Sequence, residues 1–147
     1  MEELNNINPD QNKRPQILTV FLIFSLLYGS LSMFSNLVVY GAIDFIRQTF
    51  EGKEKITMMG MDFDLSMFLN TDKNFFLLQG ILYAISFAGA FLMWKYRKIG
   101  FHLYTLAQIL LLIVASVFLT GMPFPFFDIL MTAMFVYVYA KNLKLMQ

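Results

Sequence analysis

The side chains able to do chemistry in this 147-residue chain are few, and they lie in or beside apolar segments. They are one histidine, two carboxylates beside long apolar runs and two glutamines within such runs: His102, Asp44, Asp128, Gln79 and Gln108. A polar or ionisable residue inside a membrane span is a candidate functional residue, because burying it without a partner is costly. Which chemistry these five can do depends on the elements that position them.

A haem or metal site at His102 would need further ligands. The chain has no second histidine and no cysteine, so disulfides, thiolate ligands and a cysteine nucleophile are excluded, and a bis-histidine haem would require a symmetric dimer. We therefore expect no cofactor and no metal. His102 is interpreted as a side chain at headgroup depth or hydrogen-bonded to a neighbour.

The two carboxylates and two glutamines also have ordinary structural interpretations. Asp128 would fall in the first turn of a helix, where an acid complements the helix dipole, so capping is favoured over proton relay. An ion site stays open if Asp44 and Asp128 approach each other. Gln79 and Gln108 are typical of hydrogen bonds between membrane helices. Because no nucleophile and base occur in a recognisable motif, the chain is predicted not to be an enzyme.

Composition indicates an integral membrane protein. Hydrophobic residues make up 58% of the chain, whereas soluble domains have about 45–50%. Charged residues make up 14%, against about 25% in soluble domains. The net charge of +1 gives no electrostatic basis for binding nucleic acid. Membrane lipids are therefore the first expected partner.

Four apolar segments predict four transmembrane helices, at about 17–43, 74–94, 99–120 and 125–140. A span needs about 20 residues, and Pro123 and Pro125 would separate the third span from the shorter fourth. The predicted fold is all-α: a single four-helix transmembrane bundle over 17–147, with one long outer loop at 44–73. Residues 1–16 are predicted to be a mobile cytoplasmic tail.

Basic residues are distributed unequally between the two sides of such a bundle. The side with both termini collects seven of them: Lys13, Arg14, Lys95, Arg97, Lys98, Lys141 and Lys144. The opposite side has four, all in the long loop: Arg47, Lys53, Lys55 and Lys73. Because Lys and Arg favour the cytoplasmic side, we expect both termini in the cytoplasm.

Small and polar residues mark the predicted helix contacts, because lipid tails provide no hydrophobic drive for association. The candidates share one helical stripe on the first span, one on the second and a polar position on the third: Ser25, Gly29, Ser32, Asn36, Gly80, Ala84, Ala88 and Gln108. Leu-Tyr-small triplets at 27–29, 82–84 and 103–105 sit at different depths in their helices. They are interpreted as composition rather than as a repeat.

The long loop contains a second candidate contact surface. Apolar residues alternate with polar or small ones at Met59, Met61, Phe63, Leu65 and Met67. Alternation favours a strand, whereas 64–69 would equally suit a short interfacial helix capped by Asp62 or Asp64, so both remain open. Either form gives a methionine-rich surface, which would cover the bundle in the headgroups or dock a membrane partner.

The stretch 98–104, KIGFHLY, followed by Gln108, resembles a pattern in small, uncharacterised four-span inner-membrane proteins of Bacteroidota. The short turns between helices and the lysine-containing C-terminal segment are similar as well. The resemblance implies a bacterial inner-membrane protein. It implies no catalytic residue and no activity.

The leading functional hypothesis is a non-enzymatic accessory subunit or assembly factor of a larger inner-membrane complex, bound through the helices and the Met/Phe-rich loop. A first alternative is a small oligomeric transporter or channel, in which Gln79, Gln108 and Asp128 line a wet path. A second alternative is a lipid- or quinone-binding membrane protein that uses His102 with interfacial tyrosines.

Overall fold

The computed structural model describes residues 14–50, 55–58, 61–64, 66–119 and 126–146. They form, in chain order, α1 (Gln16–Thr49), β1 (Lys55–Met58), β2 (Met61–Asp64), α2 (Ser66–Asn70), α3 (Lys73–Trp94), α4 (Lys98–Phe118), α5 (Phe126–Lys141) and a 3-10 turn (Leu143–Leu145). Three of the helices, α1, α3 and α4, are long and apolar enough to cross a membrane. The prediction of a helical membrane protein is confirmed at this level.

The first helix is longer than predicted. We expected it to end at residue 43, but α1 has 34 residues and continues to Thr49. Charged residues end an apolar run without breaking a helix, and neither Gly nor Pro occurs at 44–49. The Asp44 carboxylate and the Arg47 guanidinium, one turn apart, lie 3.7 Å from each other and support this last turn. At 1.5 Å per residue, α1 is about 51 Å long and extends beyond the hydrocarbon.

The remainder of the predicted loop contains both alternatives that the sequence left open. Strands β1 and β2 pair antiparallel as a hairpin, with Lys55 opposite Asp64 and Ile56 opposite Phe63. The short helix α2 comes next along the chain. The two predicted forms therefore occur one after the other, a strand over 61–64 and a helix over 66–70. The described part of the long connection thus contains a pair of strands and a short helix.

Arg47 links this connection to α1. Its guanidinium donates hydrogen bonds to the backbone carbonyls of Leu69 and Thr71, between α2 and α3. The Lys73 ammonium lies 3.3 Å from the Asp44 carboxylate, across the same junction. Polar contacts thus tie the end of α1 to the beginning of α3.

Helix α3 packs between α1 and α4, and glycines allow both approaches. A Cβ added at Gly80 would lie 2.9 Å from the Leu37 side chain of α1, and one at Gly89 would lie 2.6 Å from the backbone nitrogen of Tyr104 in α4. Nine residues are two and a half turns of about 3.6 residues, so these glycines face opposite sides of α3.

The last position of the predicted contact run on α3 faces away from the other helices of this chain. Ala84 is half-buried and Ala88 is exposed. Steps of four residues advance about 40° around a helix, so the row drifts away from α1 along its length. Gly89 rather than Ala88 makes the close contact, and it does so with α4.

Two clusters of buried apolar side chains lie near the two ends of the bundle. At the terminal end, where α1 begins and α5 ends, the buried members are Leu18, Leu22, Ala90, Met93, Tyr104, Tyr139 and Met146. At the hairpin end, next to β1 and β2, they are Ile43, Phe75 and Phe76. A third set of side chains, polar in character, lies between these clusters.

Arg14 fixes the start of α1 at the terminal end. Its guanidinium lies 4.6 Å from the ring centre of Trp94 and 4.4 Å from that of Tyr96, and it donates to the Trp94 carbonyl. Cation–π contact and a hydrogen bond thus hold a residue that we expected in the mobile tail. The rest of that predicted tail, residues 1–13, lies outside the described residues.

Candidate functional site

A cavity of about 360 Å³ lies between the two apolar clusters, bounded by α1, α3, α4 and α5. Its wall combines hydroxyl groups, two side-chain amides and one carboxylate with aromatic and aliphatic side chains. This volume falls in the lower part of the range of about 300–1,000 Å³ for small-molecule sites. The middle of the bundle thus contains a cavity of mixed polar and apolar lining, while apolar clusters pack toward its ends.

The cavity brings together three of the polar residues singled out in the sequence. Gln79 of α3, Gln108 of α4 and Asp128 of α5 all line it. Asp128 lies in the first turn of α5, as the sequence pattern indicated. The Gln108 amide donates to the Ser86 hydroxyl at 3.0 Å, which links α4 to α3 as expected for a membrane glutamine.

Gln79 differs from Gln108 in having no such link. Its side chain is only 7% exposed, yet the described residues offer its amide no hydrogen-bond partner. Its amide atoms are nevertheless not enclosed, since they are not among the fully buried side-chain atoms that lack a partner. The cavity is the space that Gln79 faces, so a polar occupant there would satisfy it.

Tyrosines form a large part of the polar wall, and the sequence analysis missed them. Tyr28, Tyr83 and Tyr104 are the central residues of the three Leu-Tyr-small triplets, and all three line the cavity. The Tyr28 and Tyr83 hydroxyls lie 3.4 Å apart and their rings meet edge-on at 5.8 Å. The repeated triplet was the available signal, and the different depths of its copies hid their convergence.

A hydroxyl network closes the cavity at the terminal end. The Ser25 oxygen lies 2.6 Å from the Tyr139 hydroxyl and 3.3 Å from the Tyr104 hydroxyl. Tyr139 also donates to the Phe21 carbonyl at 2.9 Å. One serine of α1 thereby joins α4 and α5, and the nearby Phe21 and Phe135 rings pack at 4.8 Å.

Other predicted packing residues of α1 have separate roles. Gly29 is buried where a Cβ would lie 3.6 Å from the Phe87 side chain of α3. The Asn36 amide donates to the Ser32 carbonyl of its own helix at 2.8 Å, and both residues are half-buried. The Asn36 amide therefore bonds within its own helix, whereas Ser25 bonds across helices.

Two candidate residues lie away from the cavity. His102 is exposed on α4 and meets the neighbouring Phe101 ring edge-on at 5.5 Å. Asp44 is paired with Arg47 and Lys73 and is not part of the cavity wall. The structure therefore separates Asp44 from Asp128, and the described residues contain no cluster of three potential metal ligands.

The predicted docking surface cannot be placed at the level of side chains. Met59 and Leu65 lie outside the described residues, while the backbone of Met61 and Phe63 belongs to β2 and that of Met67 to α2. The docking role of these five residues stays a prediction.

The opening of the cavity is marked by exposed aromatic side chains. Phe24 and Tyr28 of α1 and Phe127 of α5 line the cavity and are exposed. These residues lie on α1 and α5, the two helices that Ser25 and Tyr139 join at the terminal end. A molecule entering there would approach from the side of the bundle.

Comparison with protein-family models, with curated proteins and with solved structures finds no match for this chain.

Proposed function

We propose that α5 is a fourth membrane span, with both termini in the cytoplasm of a bacterial inner membrane. The packing of Tyr139 and Met146 with Leu18 supports this, because it brings the end of α5 to the beginning of α1. Arg14, the basic turn at 95–98 and Lys141 collect at that end, in agreement with the positive-inside rule. At 16 residues, α5 is about 24 Å long, so flanking residues complete the crossing.

We propose that the protein is a small transporter or membrane-embedded binding protein whose ligand occupies the central cavity. The observation that carries this is the convergence of Gln79, Gln108 and Asp128 on one wall. Polar side chains that serve only to hold helices together pair with each other, as Gln108 and Ser86 do. Gln79 and Asp128 instead face open space, which supports a ligand or water path.

The absence of cysteine from the chain makes this proposal directly testable. Single cysteines at Gln79, Gln108 and Thr132 would be treated, in membrane vesicles, with a charged methanethiosulfonate reagent. The thiolate is the reacting form, and thiols ionise in water but not in hydrocarbon. We expect rapid labelling at these three positions.

Ile109 provides the matched control, since it neighbours Gln108 on α4 but is exposed on the outer face of the bundle. A cysteine at Ile109 would face lipid and is expected to stay unlabelled by the charged reagent while reacting with a membrane-permeant maleimide. Equal rates at Gln108 and Ile109, or no labelling at any cavity position, would overturn the wet-cavity proposal.

The accessory-subunit hypothesis is retained as a second candidate because of the surface of α5. Among its described residues only Tyr139 is buried, while Phe126, Leu130 and Tyr137 are exposed. Such a surface suits lipid or another helix. Extraction in mild detergent would test it: a stoichiometric complex, lost when Met59, Met61 and Phe63 are replaced by serine, supports docking, and a homogeneous homo-oligomer contradicts it.

A further inference from the structure

The charged side chains that line the cavity indicate which class of ligand it would bind. Among the described residues that line the cavity, Asp128 is the only one with a charged side chain. Residues 120–125, which precede α5, contain no charged residue either. The described part of the wall therefore has one acidic side chain and no basic one.

Among the described residues, Asp128 also has no basic partner. The basic residues Arg47 and Lys73 pair with Asp44 at the hairpin end, and no cation among the described residues pairs with Asp128. The helix dipole of α5 stabilises an acid in its first turn. The helix dipole does not explain why aromatic and amide side chains line the same cavity.

Aromatic rings line the same cavity as this carboxylate, which is exposed in the first turn of α5. Tyr83 and Tyr28 both line the cavity, and their rings meet edge-on at 5.8 Å. Phe24 and Phe127 add two further rings at the opening. The faces of aromatic rings attract cations, most strongly where water is excluded, and cages of such rings are a known way to bind quaternary ammonium groups.

We propose that the cavity binds a small monovalent organic cation with an apolar body, which enters from the side between α1 and α5. The cationic group would lie between the Asp128 carboxylate and the tyrosine rings. The apolar part would contact Phe135 and Leu111 deeper in the cavity, and the Gln79 amide would bind a polar atom of the ligand or a water that accompanies it. The cavity volume limits the body to about the size of one aromatic ring with a short chain. This inference rests on the proposed function and names its ligand class.

The test compares two probes that differ in charge and hardly in shape. Phenethyltrimethylammonium is a cation, and (3,3-dimethylbutyl)benzene is its neutral carbon analogue. Binding of each to the full chain in lipid nanodiscs is measured by equilibrium dialysis, with empty nanodiscs as the baseline. We expect saturable binding of the cation and at least about tenfold weaker binding of the neutral analogue, since one favourable cation contact is of this magnitude.

Two variants make the test specific. Asp128→Asn removes the charge in nearly the same shape and is expected to weaken cation binding at least about tenfold. Asp44→Asn removes a carboxylate outside the cavity and is expected to leave binding unchanged. Circular dichroism melting establishes that both variants are folded.

A third variant separates this inference from the proposed function. Ala115→Phe would fill part of the cavity without changing its charge. If both probes bind equally, Asp128→Asn has no effect and Ala115→Phe abolishes binding, the cavity is a ligand site and the cation inference is wrong. If neither probe binds, or if binding is indifferent to Ala115→Phe, the inference and the ligand-binding function both fail.

Discussion

Hydroxyl groups determine which helices meet at the terminal end. Tyr139 is fully buried although it lies in a helix whose other described residues are at least partly exposed. Its ring packs edge-on against Tyr104 at 5.1 Å, and its hydroxyl bonds the Phe21 carbonyl and the Ser25 hydroxyl. This one side chain therefore provides much of the attachment of α5.

Removing the Tyr139 hydroxyl is expected to weaken that attachment. Tyr139→Phe keeps the ring and loses both hydrogen bonds, so the free energy of unfolding should fall by about 0.5–1.5 kcal/mol. Unfolding in mixed micelles with increasing dodecyl sulfate measures the change. Tyr137→Phe is the matched control, because Tyr137 is 67% exposed on the same helix. Equal effects of the two variants would contradict the assigned role of Tyr139.

At the scale of elements, the closest approach of two helices is a backbone contact between α3 and α4. A Cβ at Gly100 would lie 2.5 Å from the Gly89 carbonyl oxygen and 2.6 Å from the Met93 nitrogen. Backbone atoms cannot move aside as a flexible side chain does. The tight turn through Tyr96, which has a positive φ of 60°, brings the two helices together at this point.

Gly100→Ala is therefore expected to separate α3 from α4. The free energy of unfolding should fall by about 1–3 kcal/mol, the usual cost of overpacking, and the cavity should be disturbed with it. Gly41→Ala is the control, because nothing lies within 4 Å of an added Cβ there and alanine favours the helix. Thermal unfolding in the same detergent compares them. A Gly100→Ala protein as stable as Gly41→Ala would exclude this contact.

At the scale of the whole molecule, the bundle combines apolar clusters near its two ends with a central cavity of mixed polar and apolar lining. The terminal-end and hairpin-end clusters flank a cavity that contains Gln79, Gln108 and Asp128. A membrane protein that only needed to be stable would gain by filling this space with apolar side chains. The arrangement thus agrees with a molecule that admits a ligand at the level of the bilayer.

Reporter fusions test the orientation of this whole arrangement. Green fluorescent protein fused after Gln147 should fluoresce, since it folds in the cytoplasm, and alkaline phosphatase at the same position should be inactive. Phosphatase fused after residue 119, at the end of α4, should be active. The opposite pattern after Gln147 would mean that α5 does not cross the membrane.

The sequence by itself determined the class of the molecule and most of its apolar segments. Hydropathy is summed along the chain, so helices near 74–94 and 99–120 could be predicted from it, and α3 and α4 begin and end within two residues of those bounds. It also identified Gln79, Gln108 and Asp128, because polar groups in apolar runs are conspicuous.

Only the tertiary structure decided which polar groups meet. Convergence depends on the rotation and crossing of the helices, which hydropathy does not encode, so the shared position of Tyr28, Tyr83 and Tyr104 was missed. The sequence predicted a helix contact at Ala88, whereas the close contact is made by Gly89. The cause is again the rotation of the helix, because α3 packs against two neighbours on opposite faces. The chain thus specifies its helices locally, whereas the cavity exists only where four of them come together.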